Sequence, residues 1–236
     1  MTRGRSLIHK SLTSLLGRAG KDYAPDDELP AGLIASTMRT RVIWLVRGYL
    51  RLRRPVFVGP GVKLRGKSGI TAGTGATIER GASIDGYGRK GVKIGPRSRI
   101  GAYTVISSTS HLSRYGEGFA IGQDSGIGEY GYVGAAGGVW IGENVIMGQY
   151  VSFHSQEHEF SDLDRPIRQQ GSREEPIEVG NNCWIGARVT FLAGARVAEG
   201  CVVAAGSVVR GEFEPFSVIA GVPARAVRDR REPRGP

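Results

Sequence analysis

The chain has 236 residues, 37 of them glycine, and a formal net charge of +10. Glycine keeps no strict three-residue spacing, which excludes a collagen-like triple helix. The cation excess calls for an anionic partner, either a phosphate-bearing cofactor or an acidic membrane; aromatics are only 8% and no nucleic-acid-binding module is visible, so no nucleic-acid partner is expected.

Residues 1–30 are polar and mixed in charge, with a short helix expected around Ser6–Leu16 and a linker at Pro25, Asp26-Asp27-Glu28 and Pro30. From Leu33 to Arg54 the pattern becomes helical. Ile34, Met38, Val42, Leu45, Tyr49 and Leu52 recur at spacings of three and four, with Arg39, Arg47, Arg51 and Arg54 between them. A basic amphipathic helix of this kind either lies on an anionic membrane surface or packs on the end or side of the domain that follows. Pro55 ends it. Residues 1–55 therefore read as an N-terminal extension. No apolar run reaches the roughly 20 residues of a membrane-spanning helix. The basic N-terminus lacks the apolar stretch and cleavage site of a secretory signal. The expected location is the cytoplasm, with the inner face of the membrane open through residues 33–54.

A period of six begins near Val56. It is irregular at Val62, Ile78 and Ile84, and is interrupted by Asp85 to Val92. It returns at Ile94-Gly95, Ile100-Gly101 and Ile106, breaks at a polar loop from His111 to Gly118, and resumes at Ile121-Gly122, Ile127-Gly128, Val133-Gly134 and Val139. After a two-residue shift come Ile141-Gly142, Met147-Gly148 and Phe153. A long polar excursion, 154–178, precedes the most regular run, Val179 to Val209. An aliphatic or aromatic residue opens each six, a small one usually follows, and the fifth place holds Cys183, Val189, Ala195, Cys201 and Ser207.

Six is neither a helical nor a strand period, and a fixed period repeated this often marks a solenoid. The expected form is a triangular prism over residues 56–211, three sixes to a coil. Openers and fifth residues point inward and stack on their counterparts eighteen residues on. No coil buries its own apolar edge, so stability rests on stacking. The glycines after the openers are expected where corners need positive φ or close backbone approach. Cys183 and Cys201, one coil apart, read as small buried side chains. Residues 212–236 read as a basic C-terminal tail.

The stretch VGNNCWIGARVTFLAGARVAEGCVVAAGSVV, followed by SVIAGVPARAVR, resembles the hexapeptide-repeat acyltransferases, in particular the sugar O-acetyltransferases of galactoside and maltose type. The resemblance implies an all-β solenoid, a left-handed parallel β-helix, here with an N-terminal helical extension. It implies a homotrimer with active sites between neighbouring prisms and acyl-coenzyme A in the groove between subunits, with no metal expected. A histidine of the protruding loop deprotonates the acceptor hydroxyl, which attacks the thioester directly.

A sugar hydroxyl is a poor nucleophile at neutral pH, and histidine suits the task of general base. Of His9, His111, His154 and His158, the last matches the family's catalytic histidine in its spacing from Val151. His154 departs from the family pattern and either binds acceptor or orients His158. Trp184 matches a family tryptophan near the reacting centre; plain packing is the other reading. The family's acceptor-binding asparagine has no match, since the region reads Glu129-Tyr-Gly-Tyr132, which leaves Tyr132, Gln149 and Glu157 as acceptor-binding candidates. Ala187 and Ala205 match residues that meet the pantetheine arm, and Arg225 and Arg228 match those that meet the nucleotide phosphates. Arg210 is a further cofactor-binding candidate.

The activity so implied is transfer of an acyl group, acetyl by default and octanoyl as an alternative, from coenzyme A to a hydroxyl of a sugar or glycoconjugate, in bacterial polysaccharide or glycolipid synthesis. Two other classes remain. A zinc enzyme of the γ-type carbonic anhydrase kind would need His111, His154 and His158 as ligands. A non-catalytic trimeric scaffold would use the loop to bind a partner.

Overall fold

The computed structural model describes residues 26, 28–109 and 113–233. The helix expected at Ser6–Leu16, and His9 and His111, lie outside them.

From Phe57 to Gly221 short strands wind into three flat faces. The first face runs from Phe57–Val58 through Ile146–Met147 and Trp184–Ile185 to Ser217–Gly221. The second runs from Lys63–Arg65 to Val208–Val209, and the third from Ile70–Ala72 to Glu212–Phe213. Within each of these runs neighbouring strands are parallel, as where Val139 pairs with Ile177 and Phe153 with Phe191. The chain is the expected left-handed parallel β-helix with an N-terminal helix. We call the corner between first and second faces the first edge, and that between second and third faces the second edge.

The period of six has the expected cause. Trp184 lies beside Val202, eighteen residues on. The openers Ile78, Ile84, Ile100, Phe153, Phe191 and Val203 are buried, and Phe153 lies on Phe191 with ring centroids 4.7 Å apart. All five of the fifth-place residues from Cys183 to Ser207 are buried. Both cysteines are free thiols inside the core. Earlier coils put Thr104 and Ser125 at the same place, and each hydroxyl donates to a glycine carbonyl one coil on, Gly128 at 3.2 Å and Gly142 at 2.8 Å. A small hydroxyl is tolerated there because its hydrogen bond is made.

Glycine after the opener serves close approach. A Cβ on Gly101, Gly128, Gly142 or Gly186 would stand 2.3–2.5 Å from an atom of the next coil. Positive φ falls two residues further on, mostly at non-glycine residues: Tyr103, Tyr130, Tyr150 and Arg188 have φ of 57–59°. The three tyrosines stack along the first edge with ring centroids 5.3 and 5.2 Å apart, and the Arg188 guanidinium lies 5.7 Å from the Tyr150 ring. The ladder's rings face one another, a contact that offsets part of the cost of the left-handed backbone.

The helix α1, Ala31–Leu52, covers the start of the prism with its orientation set by arginines. Arg47 donates to the Val58 carbonyl at 2.9 Å and Arg51 to the Val62 carbonyl at 2.7 Å. These carbonyls lie on the terminal coil, which has no coil beyond it to supply a donor, and an unpaired peptide group is costly. Arg41 reaches Thr77 at 3.0 Å, and Gly48 lets the helix backbone close on Val56. Of the apolar stripe, Ile34 is fully buried and Leu52 packs partly buried against the core, while Met38, Val42, Leu45 and Tyr49 face outward.

The other end also differs from the boundary expected at 211. Glu212–Phe213 is the last strand of the third face, and Ser217–Gly221 continues the first. Ala224–Asp229 then turns back antiparallel along it. Much of the expected tail is thus an ordered edge strand, because its alternation continues the apolar stacking at Ile219 and Ala224, both buried.

A Cβ added at Gly128 would meet a backbone oxygen of the next coil at 2.3 Å. Gly128→Ala is therefore expected to cost about 1–3 kcal/mol and lower the melting temperature. Gly32→Ala, with open space around it, should leave melting unchanged or raise it.

Candidate active site

Among the described residues three excursions leave the prism, each at the second edge. Residues 86–91, 108–118 and 155–176 each join the end of a second-face strand to the start of a third-face strand. The longest opens with an antiparallel hairpin, Gln156–His158 against Ser172–Glu174. Its far part is held by Gln170, whose side-chain amide donates to the Asp162 and Arg165 carbonyls, both at 2.7 Å. The neighbouring excursion braces its base: Arg114 donates to the Ser172 carbonyl at 2.9 Å and stands 3.6 Å from Glu174. Sequence reasoning did not single out Arg114. Its signal was placement in a polar loop two coils earlier, at the same point of the repeat.

His158 ends the first hairpin strand, beside Ser172, and is exposed. Glu157 beside it is half-buried, within 3.4 Å of Arg173 and 4.0 Å of Arg210. His154 lies on the wall of the second face, in register with Gly134, and its ring is 5.4 Å from that of Tyr132. Burial holds the His154 imidazole below its ordinary value of 6.5, since the charged form loses water there. The second edge and second face thus carry His158, Glu157, Arg210, His154 and Tyr132.

The other expected site residues are elsewhere. Trp184 is on the first face, 58% exposed, between Ile146 and Val202. Gln149 and Ala205 are exposed on the first edge, and Ala187 is half-buried there with its carbonyl taking the Gly206 N–H at 2.9 Å. Arg225 and Arg228 are exposed on the antiparallel strand closing the first face. Arg210 is therefore separated from the other four cofactor-binding candidates, and Trp184 and Gln149 from the histidines. The breadth of the second face divides the two groups: Ala187 to Ala193 is one six, or roughly 20 Å of extended chain.

The two groups suit different tasks. The first edge offers small residues and exposed main chain along successive coils, with two cations near its end, a surface fitted to a long ligand with an anionic head. The second edge offers an accessible imidazole flanked by a carboxylate. Among the described residues no three His, Cys, Asp or Glu side chains gather to hold a metal ion.

His154 has a consequence for acid stability. Its folded value is depressed, so the unfolded chain takes up the proton first as pH falls; stability is fully present above the ordinary value and is lost below it. We expect His154→Gln to flatten the fall in melting temperature between about pH 7.5 and 5.5. An unchanged slope would contradict a buried neutral imidazole.

Comparison with known proteins finds similar chains. Residues 176–211 match the family model described as bacterial transferase hexapeptide, six repeats. A Mycobacterium tuberculosis protein assigned as an acetyltransferase is 28% identical over 80% of this chain and 58% of its own length. The Escherichia coli protein WbbJ, assigned as an O-acetyl transferase of lipopolysaccharide biosynthesis, is 28% identical over 83% of this chain and 86% of its own. The galactoside O-acetyltransferase of Escherichia coli is 35% identical over 39% of this chain and 44% of its own. The chain thus spans about half the length of the mycobacterial and galactoside relatives in these matches. The comparisons agree with the resemblance drawn from the hexads: residues 176–211 match the bacterial transferase hexapeptide repeat, and the β-helix chain is similar to O-acetyltransferases.

Proposed function

We propose that the protein is an acyl-CoA-dependent O-acyltransferase that works as a homotrimer on a hydroxyl of a sugar or glycoconjugate, in the cytoplasm, with acetyl as the default group. The observation that carries this reading is the division of the candidate residues between two edges of one prism. A base on the second edge and a donor cradle on the first do not meet within one chain. They meet where the second edge of one copy faces the first edge of the next, and a closed ring of such heterologous contacts gives identical sites.

In the proposed reaction the thioester lies along the first edge, its pantetheine arm against main chain at Ala187 and Ala205 and its phosphates near Arg225 and Arg228. His158 of the neighbouring copy takes the proton of the acceptor hydroxyl as the oxygen attacks the thioester carbonyl. A backbone N–H stabilises the tetrahedral oxyanion. Collapse breaks the carbon–sulfur bond, the acyl ester leaves on the acceptor, and the coenzyme A thiolate takes the proton from the imidazolium. Glu157, already paired with Arg173 and Arg210, fixes the strand that carries the base. His154 and Tyr132 form the wall beside it where the acceptor is held, with Trp184 and Gln149 contributed from the facing copy. The similarity to WbbJ supports an acceptor in polysaccharide synthesis.

The test uses two inactive variants. His158→Ala should lower kcat by about 10²–10⁴ with the fold intact, and Ala205→Trp should block the donor cradle. Dissociated and reassociated as an equal mixture, the two should regain about a quarter of wild-type thiol release, from trimers pairing an intact base with an intact cradle. No regain would place both halves of the site on one chain, full activity of His158→Ala would remove His158 as the base, and absence of thiol release by the wild type would leave a scaffold.

A further inference from the structure

The positive charge of this chain is concentrated at one end. Between Ala31 and Ile78 there are nine lysines and arginines and no aspartate or glutamate, so this stretch carries nearly all of the net +10. The stretch is α1 together with the first coil, the end of the prism farthest from the C-terminal arginines assigned above to a nucleotide. The charge is not consumed by internal pairing. Arg41, Arg47 and Arg51 bond to a hydroxyl and to backbone carbonyls. Of the remaining six, Arg65 alone has a carboxylate within 4.0 Å among the described residues, that of Asp85 at 3.6 Å.

The same end exposes apolar surface. Because the arginines turn inward to the terminal carbonyls, the aliphatic stripe of α1 points away from the prism: Val42 is 58% exposed, Val46 54%, Tyr49 59% and Leu50 67%. On the helix these lie within a band that Met38 and Leu45 extend, and Arg39 and Arg53 border it. The continuous apolar band is bordered by cations alone, with no carboxylate between Ala31 and Ile78, and is backed by Arg54, Lys63 and Lys67, all exposed. A helix lying in the headgroup region of an anionic bilayer has this composition, with aliphatic side chains entering the acyl boundary and long basic ones reaching back to phosphate.

We propose that α1 and the first coil form a docking surface for an anionic phospholipid bilayer, with the apolar band of α1 inserted in the interface and the basic residues around it against lipid phosphates. No helix among the described residues is long and apolar enough to span a membrane, so the contact is peripheral. The surface stands on the charge and burial of this end of the molecule and is independent of the acyl-transfer reading.

The test measures binding alone. Full-length protein is sedimented with vesicles of phosphatidylcholine, or of an equimolar mixture with phosphatidylglycerol. Binding to the mixed vesicles, weak binding to the neutral ones, and release by high salt are expected. Val42→Asp/Val46→Asp changes only exposed side chains and should weaken binding at least about tenfold, with melting temperature and oligomeric state unchanged. Lys63→Glu/Lys67→Glu leaves the helix intact and should also weaken it. Failure of the wild type to sediment with anionic vesicles, or undiminished binding by either variant, would overturn the proposal. So would a change of oligomeric state in the valine variant, which would make the stripe a contact between copies.

Discussion

The structure depends on the short distance between coils. Parallel strands stand about 4.8 Å apart, and at the corners the backbone of one coil lies closer still to the next. Gly95 and Gly122, Gly122 and Gly142, Gly128 and Gly148 form columns in which each leaves room for the carbonyl or amide of its successor. A single added methyl there has nowhere to go. Everything else follows from that spacing: inward openers pack as columns, fifth-place residues must be small, and any long segment must leave the prism at an edge. Strands of two or three residues, too short to be stable singly, become rigid because each is paired on both sides along most of the stack.

Excursions concentrate at the second edge, and this shapes where chemistry is found. A solenoid wall presents a regular lattice of alternating side chains, suited to recognising something long and repetitive in its contacts. It is poorly suited to gathering acid–base groups at one point. The hairpin bearing Gln156–His158 and the loop bearing Arg114 supply the irregularity the wall lacks, and each steadies the other. Division of labour between wall and excursion explains why the candidate residues fall into two groups on one chain. In the proposed reaction it also makes an assembly of copies the unit in which a long donor and a compact acceptor meet.

Much of the fold is legible in the sequence because its cause is local and repeated. Val179 to Val209 states the rule five times without interruption, and the register of Trp184 on Val202 follows. Legibility fails where a residue obeys a constraint that is present once. Arg47 and Arg51 look like the polar face of an amphipathic helix until the open carbonyls of Val58 and Val62 are seen beside them. The expected end of the prism falls too early because Glu212 to Pro215 breaks the aliphatic pattern, although Phe213 still occupies a strand. The tyrosine ladder escapes a reading in sixes because insertions hide its spacing; each member stands in the fourth place of its six, as Arg188 does. For the site, residue types and their spacing mark the candidates, but which edge each occupies depends on the coil closing, and no local pattern carries that.

Both ends of the stack are stoppered, and by different means. At the start, guanidinium groups occupy the carbonyls that a preceding coil would have used; at the finish, Ala224–Asp229 folds back antiparallel over the last parallel strand. An uncapped column of this geometry is a short length of cross-β, and an open rung would template further rungs from other chains. The plugs therefore set the length of the molecule as firmly as its sequence of sixes does, and removing Arg47 and Arg51 would turn a discrete particle toward end-to-end fibrils.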